Sequence, residues 1–206
     1  ALTLTNPVGV GNLLAVFAKL SGFVSLTDDK GNAYVSVQTV SPRRTFYCKN
    51  VLNAPQTITV TANPAEGLMC LCVHEISGAD LDNPLDGFNG QASASPGTGA
   101  DALTSLTTLT KNDGDYIFGC TTDSTATHAP PVYVAGTNFT KDEETGSATV
   151  ISMFSEHYIQ PVGGSIAATW TVQSPYGTDS FGPMMMAFKP AIAMPTPSLW
   201  PVLVAA

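Results

Sequence analysis

The chain has 206 residues, of which 44% are hydrophobic and only 12% charged, with 8 Lys+Arg against 16 Asp+Glu and a formal net charge of −8. That apolar content excludes a disordered chain, and a negative charge with few, scattered basic residues excludes an electrostatic nucleic-acid footprint, which needs clustered Lys and Arg. The uncharged remainder is rich in Thr, Ser, Asn and Gly, a surface that suits an extracellular protein or one buried in an assembly.

In chain order, Ala1 to Thr5 alternates Leu2 and Leu4 with threonines, and Asn6-Pro7 with Gly9 to Asn12 turns the chain into the apolar run Leu13 to Leu20. Two strands are expected there. Phe23 to Leu26 alternates again. Asp28-Asp29-Lys30-Gly31-Asn32 then supplies turn chemistry before Ala33 to Gln38, a hairpin signature. Thr45 to Cys48 and Thr57 to Thr61 read as short strands, the second with Ile58 and Val60 inward. Leu68 to Ile76 is almost continuously apolar, which predicts a central strand buried on both faces.

Ser77 to Ala100 is rich in Gly, Ala, Ser, Asp and Pro without any period and reads as a long surface loop. Strands resume with Leu103, Leu106 and Leu109, and the turn Lys111 to Asp115 leads into Tyr116 to Cys120. After a loop at Thr121 to Pro131 come the short Val132 to Val134 and a polar stretch, Gly136 to Gly146. Val150 to Tyr158, Ile166 to Val172 and Phe181 to Phe188 complete the strands. Lys189-Pro190 stops the last one, because proline cannot continue a central ladder. The expected division is a domain over 1–190 and an apolar appendage over 191–206, reading AIAMPTPSLWPVLVAA. No segment carries a helical stripe. About a dozen short strands with turns between them predict an all-β, two-sheet antiparallel β-sandwich of jelly-roll type.

The succession Gly11 to Val16, Thr27 to Tyr34, Phe46 to Asn50, Leu71 to Gly78, Leu85-Asp86-Gly87, Gly114 to Gly119 and Met186 to Pro190 resembles a β-sandwich domain of unknown function in secreted proteins of environmental bacteria. In that family an additional apolar strand commonly precedes the position of Ala1. The tail, Met194 to Trp200, is similar to the proline-threonine-tryptophan start of bacterial C-terminal sorting signals, without the membrane helix and basic cluster that normally follow. A start at Ala1 with no basic and apolar leader fits a mature secreted product.

Side chains that carry chemistry form no recognisable catalytic motif. Cys48, Cys70, Cys72 and Cys120 are too few for a disulfide scaffold. Cys70 and Cys72 project from one strand face and are expected as buried packing groups, with the disulfide state of all four open. Zinc would need a second close Cys/His pair. His74-Glu75 begins like the zinc-protease motif, but Gly78 stands where the second histidine belongs. His74 is expected as a hydrogen-bonded strand residue, His157 beside Glu156 as a paired surface residue, and His128 in a loop. Glu75 and Glu156 are the glutamates in strand-like segments, and nothing places them across one cleft.

Asp80, Asp82, Asn83, Asp86 and Asn89 crowd one loop with oxygen ligands of calcium type, but their spacing matches no EF-hand, and a solvated acidic loop is the reading. Tyr116, Tyr133, Tyr158, Tyr176 and Trp170 are candidates for a sugar-stacking platform, though most are expected in the core or on sheet faces. Asn138-Phe139-Thr140 is an N-glycosylation sequon in a surface loop, and Thr196 and Ser198 lie among prolines in a setting that suits O-glycans.

The expectation is therefore a non-enzyme without metal or cofactor. It is a secreted structural subunit of an extracellular homopolymeric fibre, its partners identical subunits and a glycan, without nucleic acid or membrane insertion. Leu199, Trp200, Val202, Leu203 and Val204 form the expected subunit interface. They are costly to leave in water at roughly 1.5–3 kcal/mol per large side chain, and the tail is too short for a bilayer span of about twenty residues. Pro201 removes one ladder donor, and the N-terminal strand Ala1 to Thr5 is the other donor candidate. The alternative is a cell-surface carbohydrate-binding module.

Overall fold

The computed structural model describes residues 1–63, 69–91, 99–123, 132–147, 150–174 and 180–191. Among them are seventeen strands and no helix: β1 (Leu2–Thr3), β2 (Leu13–Lys19), β3 (Phe23–Asp28), β4 (Val35–Val40), β5 (Arg43–Cys48), β6 (Thr57–Ala62), β7 (Cys70–Ile76), β8 (Leu85–Gly90), β9 (Gly99–Thr104), β10 (Thr108–Leu109), β11 (Asp115–Thr122), β12 (Val132–Ala135), β13 (Thr140–Ser147), β14 (Val150–Gln160), β15 (Ser165–Ile166), β16 (Thr169–Ser174) and β17 (Met184–Phe188). They form sheets with strand orders β1-β6-β3, β4-β5-β2-β7, β13-β14-β11-β17-β8 and β12-β16-β9, and a ribbon β10-β15. We call the four sheets layers 1 to 4 in that order.

The alternation of side chains along a strand shows how the layers stack. Leu13, Ala15 and Phe17 of β2 enter a core shared with Phe118 and Cys120 of β11 and Met184, Met186 and Phe188 of β17. Leu14, Val16 and Ala18 of the same strand enter a second core with Ile58 and Val60 of β6. Ile117, Met185 and Ala187 point the other way, into a third core with Tyr133, Trp170 and Val172. Layers 2 and 3 are thus packed on both faces, with layers 1 and 4 outside. The two-sheet jelly roll expected from strand count is not what the chain forms. The physical reason lies in β2 and β17, every residue of which is buried; a sandwich of two sheets offers such strands only one buried face.

Other expectations are corrected in detail. Ser77 to Ala100 is not one loop, since it contains β8 and the start of β9. The polar stretch Gly136 to Gly146 holds most of β13, paired to β14. Asp28 to Asn32 does not close a hairpin, because β3 pairs with β6 and β4 with β5 in another layer. The turn is a corner between layers, held by Asp28 Oδ1, which accepts from the amides of Lys30 and Asn32 at 2.9 and 3.1 Å. β7, expected to be central, is the last strand of layer 2.

The two halves of the chain share one topology. Mapping β1–β7 onto β9, β11, β12, β13, β14, β16 and β17 in chain order converts layer 1 into layer 4, and converts layer 2 into β13-β14-β11-β17 of layer 3. The two inner layers then face one another with β4 near β8, β2 near β11 and β7 near β14. Tyr47 of β5 meets Phe188 of β17 with ring centroids 5.9 Å apart. One strand breaks the correspondence. β8 pairs with the outer side of β17, and no described strand pairs with the outer side of β7. A counterpart of β8 would precede Leu2 in the chain.

Candidate functional site

A group of polar side chains between the inner layers lies beside β7. Cys72, His74 and Ile76 of β7 face layer 3, and Met153, Ser155 and His157 of β14 face back. The ladder between β13 and β14 shifts register between Lys141 and Glu144. A bulge of this kind re-aims side chains, and here it brings Asp142 to the two histidines. His157 Nδ1 lies 2.7 and 2.9 Å from the Asp142 carboxylate oxygens, and His74 Nε2 lies 3.8 Å from Asp142 Oδ2. His74 Nε2 also meets Ser155 Oγ at 3.1 Å, and its Nδ1 meets the Tyr116 hydroxyl at 3.1 Å. The Glu143 amide donates to Ser155 Oγ at 3.2 Å. Tyr116 stacks on the His157 ring at 5.3 Å with the planes 4° apart. Burial and the Asp142 charge push the Tyr116 phenol above its ordinary range.

His74, Tyr116, Asp142, Glu143 and His157 of this cluster line a cavity of about 250 Å³ with Val73 and Glu75. Its groups form a hydrogen-bonded polar clasp between layers 2 and 3. Ser155 is fully buried. The carboxylate sits on the same imidazole nitrogen as the serine, whereas an orienting carboxylate belongs on the opposite one. His74 is the hydrogen-bonded strand residue expected, and His157 is paired, with Asp142 as partner. Asp142, Glu143 and Ser155 were not legible as members, because the bulge that gathers them leaves no sequence signature. Among the described residues no three His, Cys, Asp or Glu side chains converge as a metal cluster.

The remaining candidates are dispersed. Glu75 Oε1 accepts from the Gly9 amide at 2.8 Å and Asn12 Nδ2 at 2.5 Å, bracing the turn before β2. Glu156 points into the opposite side of layer 3, where its oxygens accept from the amides of Gly136 and Thr169 at 3.0 and 3.1 Å. The two glutamates therefore share no cleft. Asp80 accepts from the amides of Asp82 and Asn83 at 2.8 and 3.0 Å, Asp86 from Lys111 and Asn112, and Asn89 Nδ2 donates to the Thr107 carbonyl at 2.9 Å. These acidic and amide groups tie loops to strands.

Of the aromatics named for a sugar-stacking platform, Trp170 and Tyr133 are in the third core, Tyr158 packs against it, and Tyr116 belongs to the polar cluster. Asn138 is exposed in the β12–β13 turn at φ +73°, open to a glycan. Cys48, Cys72 and Cys120 are buried, Cys70 is half-buried, and all four are free thiols. His128, Tyr176, Thr196, Ser198, Pro201 and the interface candidates Leu199, Trp200, Val202, Leu203 and Val204 lie outside the described residues.

Glu156 carries a pH prediction. Burial pushes its carboxyl up from 4.5 to about 8, against the two amide bonds that pull it down. Burial and the adjacent Asp86 likewise push the fully buried Asp115 up from 3.8 to about 7. Both groups are protonated in the fold over a range where the unfolded chain is ionised. Their contribution is complete below about pH 4, and is lost as pH rises through about 7 and then about 8. Thermal unfolding should therefore show Tm falling between pH 5 and 9. Glu156→Gln, a permanent neutral carboxamide, should flatten the upper part of that fall, and an unchanged profile would contradict the assignment.

Three cavities follow β7 in order. One of about 190 Å³ lies at Met69 to Leu71 against Ala1, Leu2 and Val60. The polar cavity lies at Val73 to Glu75, and one of about 80 Å³ lies at Ile76 to Ala79 against Phe188 and Pro190. β7 thus has an apolar cavity toward layer 1 at its start, and toward layer 3 a polar one at its middle and an apolar one at its end. Comparison of the chain with family models, with curated proteins and with solved structures finds no match.

Proposed function

We propose that this chain is a structural subunit of an extracellular homopolymeric fibre, in which a strand donated by one copy completes layer 2 of the next along β7. The observation that carries the reading is the asymmetry between equivalent strands. β17 is paired on its outer side by β8, while β7 has no such partner among the described residues. β7 also has a central strand's composition, Cys-Leu-Cys-Val-His-Glu-Ile. An apolar strand with a free ladder edge is an aggregation hazard that natural proteins cover.

The proposed occupant is the tail, which is uncharged and apolar from Ala191 to Ala206. The eight residues Leu199 to Ala206 match the seven of β7 in length. Donation pairs main-chain groups and seats alternate side chains in pockets, and a head-to-tail contact of this type propagates into a filament. The other donor candidate, Ala1 to Thr5, is less suited, since Leu2 and Thr3 pair with Ile58 and Thr57 of their own copy.

The test is negative-stain microscopy of the full chain and of a chain ending at Pro190. Filaments from the first, soluble monomers from the second, and a raised Tm of those monomers on adding a peptide of Ala191 to Ala206 are the expected results. A monodisperse full-length monomer overturns the polymer. Filaments from the truncated chain indistinguishable from the parent overturn the tail as donor.

A further inference from the structure

We propose that Cys72 and Cys120 are a latent inter-layer disulfide that closes when the chain folds in an oxidising medium, stapling the first half of the chain to the second. The two thiols belong to one core between layers 2 and 3. Their placement follows from a close contact between the layers. His74 Nε2 and Ser155 Oγ are 3.1 Å apart. Cys72 precedes His74 by two residues on the same face of β7, and Cys120 is the direct cross-strand partner of Ser155 in the β11–β14 ladder. Phe118, two residues before Cys120, has its ring 4.5 Å from the His74 ring. In the finished fold the neighbouring Cys120 lowers the pKa of Cys72, whereas burial and then Cys72 raise that of Cys120. His74 contributes to the lowering at Cys72.

In thiol–disulfide exchange a thiolate attacks the reagent and the second thiol then resolves the mixed disulfide. With a low-molecular-weight disulfide such as oxidised glutathione, the Cys72 thiolate attacks one sulfur and expels a glutathione thiolate, leaving a mixed disulfide. The Cys120 sulfur, losing its proton, then attacks Cys72 Sγ and expels the second glutathione. Two cysteine thiols are oxidised and one small disulfide is reduced to two thiols, so electrons and protons balance. Because both cysteines are buried in the finished fold, exchange belongs to folding, before the layers exclude the reagent. Cys48 lies in the second core, on the other face of layer 2; Cys70 lies two residues before Cys72 on β7 and packs against the same core, so the cross-link map must tell it from Cys72.

The experiment refolds the full chain in oxidised and in reduced glutathione, counts thiols with a chromogenic disulfide after denaturation, and maps cross-linked peptides by non-reducing mass spectrometry. Two of the four thiols should be lost only in the oxidised sample, one peptide pair should join Cys72 to Cys120, and Tm should rise and then fall back on adding reductant. Cys70→Ser should keep the cross-link and Cys72→Ala should abolish it. Four titratable thiols after oxidative refolding, or a cross-link from Cys120 to Cys70 or Cys48, overturns the proposal. The map of the unmodified chain decides the matter even if a cysteine variant fails to fold.

Discussion

Arg43→Ala is expected to cost about 3–5 kcal/mol of folding stability, the range for removing one partner of a buried charged network, out of a total of roughly 5–15 kcal/mol for a domain. Arg43 is 2% exposed, and it reaches from β5 of layer 2 to the end of β11 in layer 3. Its Nε donates to Thr122 Oγ1 at 2.8 Å and its Nη2 to the Thr122 carbonyl at 3.3 Å. The same carbonyl accepts the Gly182 amide at 3.0 Å. Gly182 lies flat against the guanidinium, and a Cβ there would stand 2.0 Å from Arg43 Nε.

Burial works to lower the Arg43 pKa, and nearby Cys70 and Asp123 resist it; the alanine variant removes a charge for which the surrounding groups are already arranged. Arg43→Lys should recover only part of the loss, because an ammonium has no planar fork to bond two oxygens at once. Urea denaturation of the three proteins measures this. A loss below about 1 kcal/mol for the alanine variant would place the guanidinium among exposed ion pairs in energetic terms and refute its role as a tie between layers.

The second large effect is at Trp170. Trp170→Ala should cost about 3–5 kcal/mol, the usual penalty for emptying an aromatic core position, while Trp170→Phe should cost less than about 1.5 kcal/mol. Trp170 is 1% exposed at the centre of the third core. Its indole passes so close to Gly119 that a Cβ there would lie 3.1 Å from Cζ2. Its Nε1–H, however, is buried without a hydrogen-bond partner among the described residues. An unsatisfied buried donor costs about 1–3 kcal/mol, so phenylalanine sheds that cost and offsets part of the volume it gives up. At about 2–4 °C per kcal/mol for a chain of this size, calorimetry should separate the two variants clearly. Equal losses would mean that the indole N–H is satisfied or that ring volume is irrelevant at this site.

The extent to which the fold was legible differs from strand to strand. β2, β6, β14 and β17 stand out in the sequence because their apolar patterns are long and local. β8 does not: Leu85-Asp86-Gly87-Phe88-Asn89-Gly90 carries three strand-poor residue types and is held in place by its ladder to β17. β13, with Lys141-Asp142-Glu143-Glu144, reads as a loop and becomes a strand because β14 beside it has a free side to pair. In each case a partner distant in sequence overrides local propensity. The polar clasp around His74 was half legible. His74 and His157 were individually read as paired residues, but their common partner depends on a register shift that no local pattern encodes.

By itself the sequence determined that this is an all-β protein with a large apolar core, antiparallel connections and no helical period, since alternation and turn chemistry act within a few residues. It also determined that the tail is apolar and uncharged. Only the tertiary structure decided how many faces each strand buries, and hence that four layers stack where two were expected. It alone revealed the shared topology of the two halves and the strand that breaks it at β7. Those properties depend on which strands pair across dozens of residues, and pairing energy arises from contacts that exist only once the layers have met.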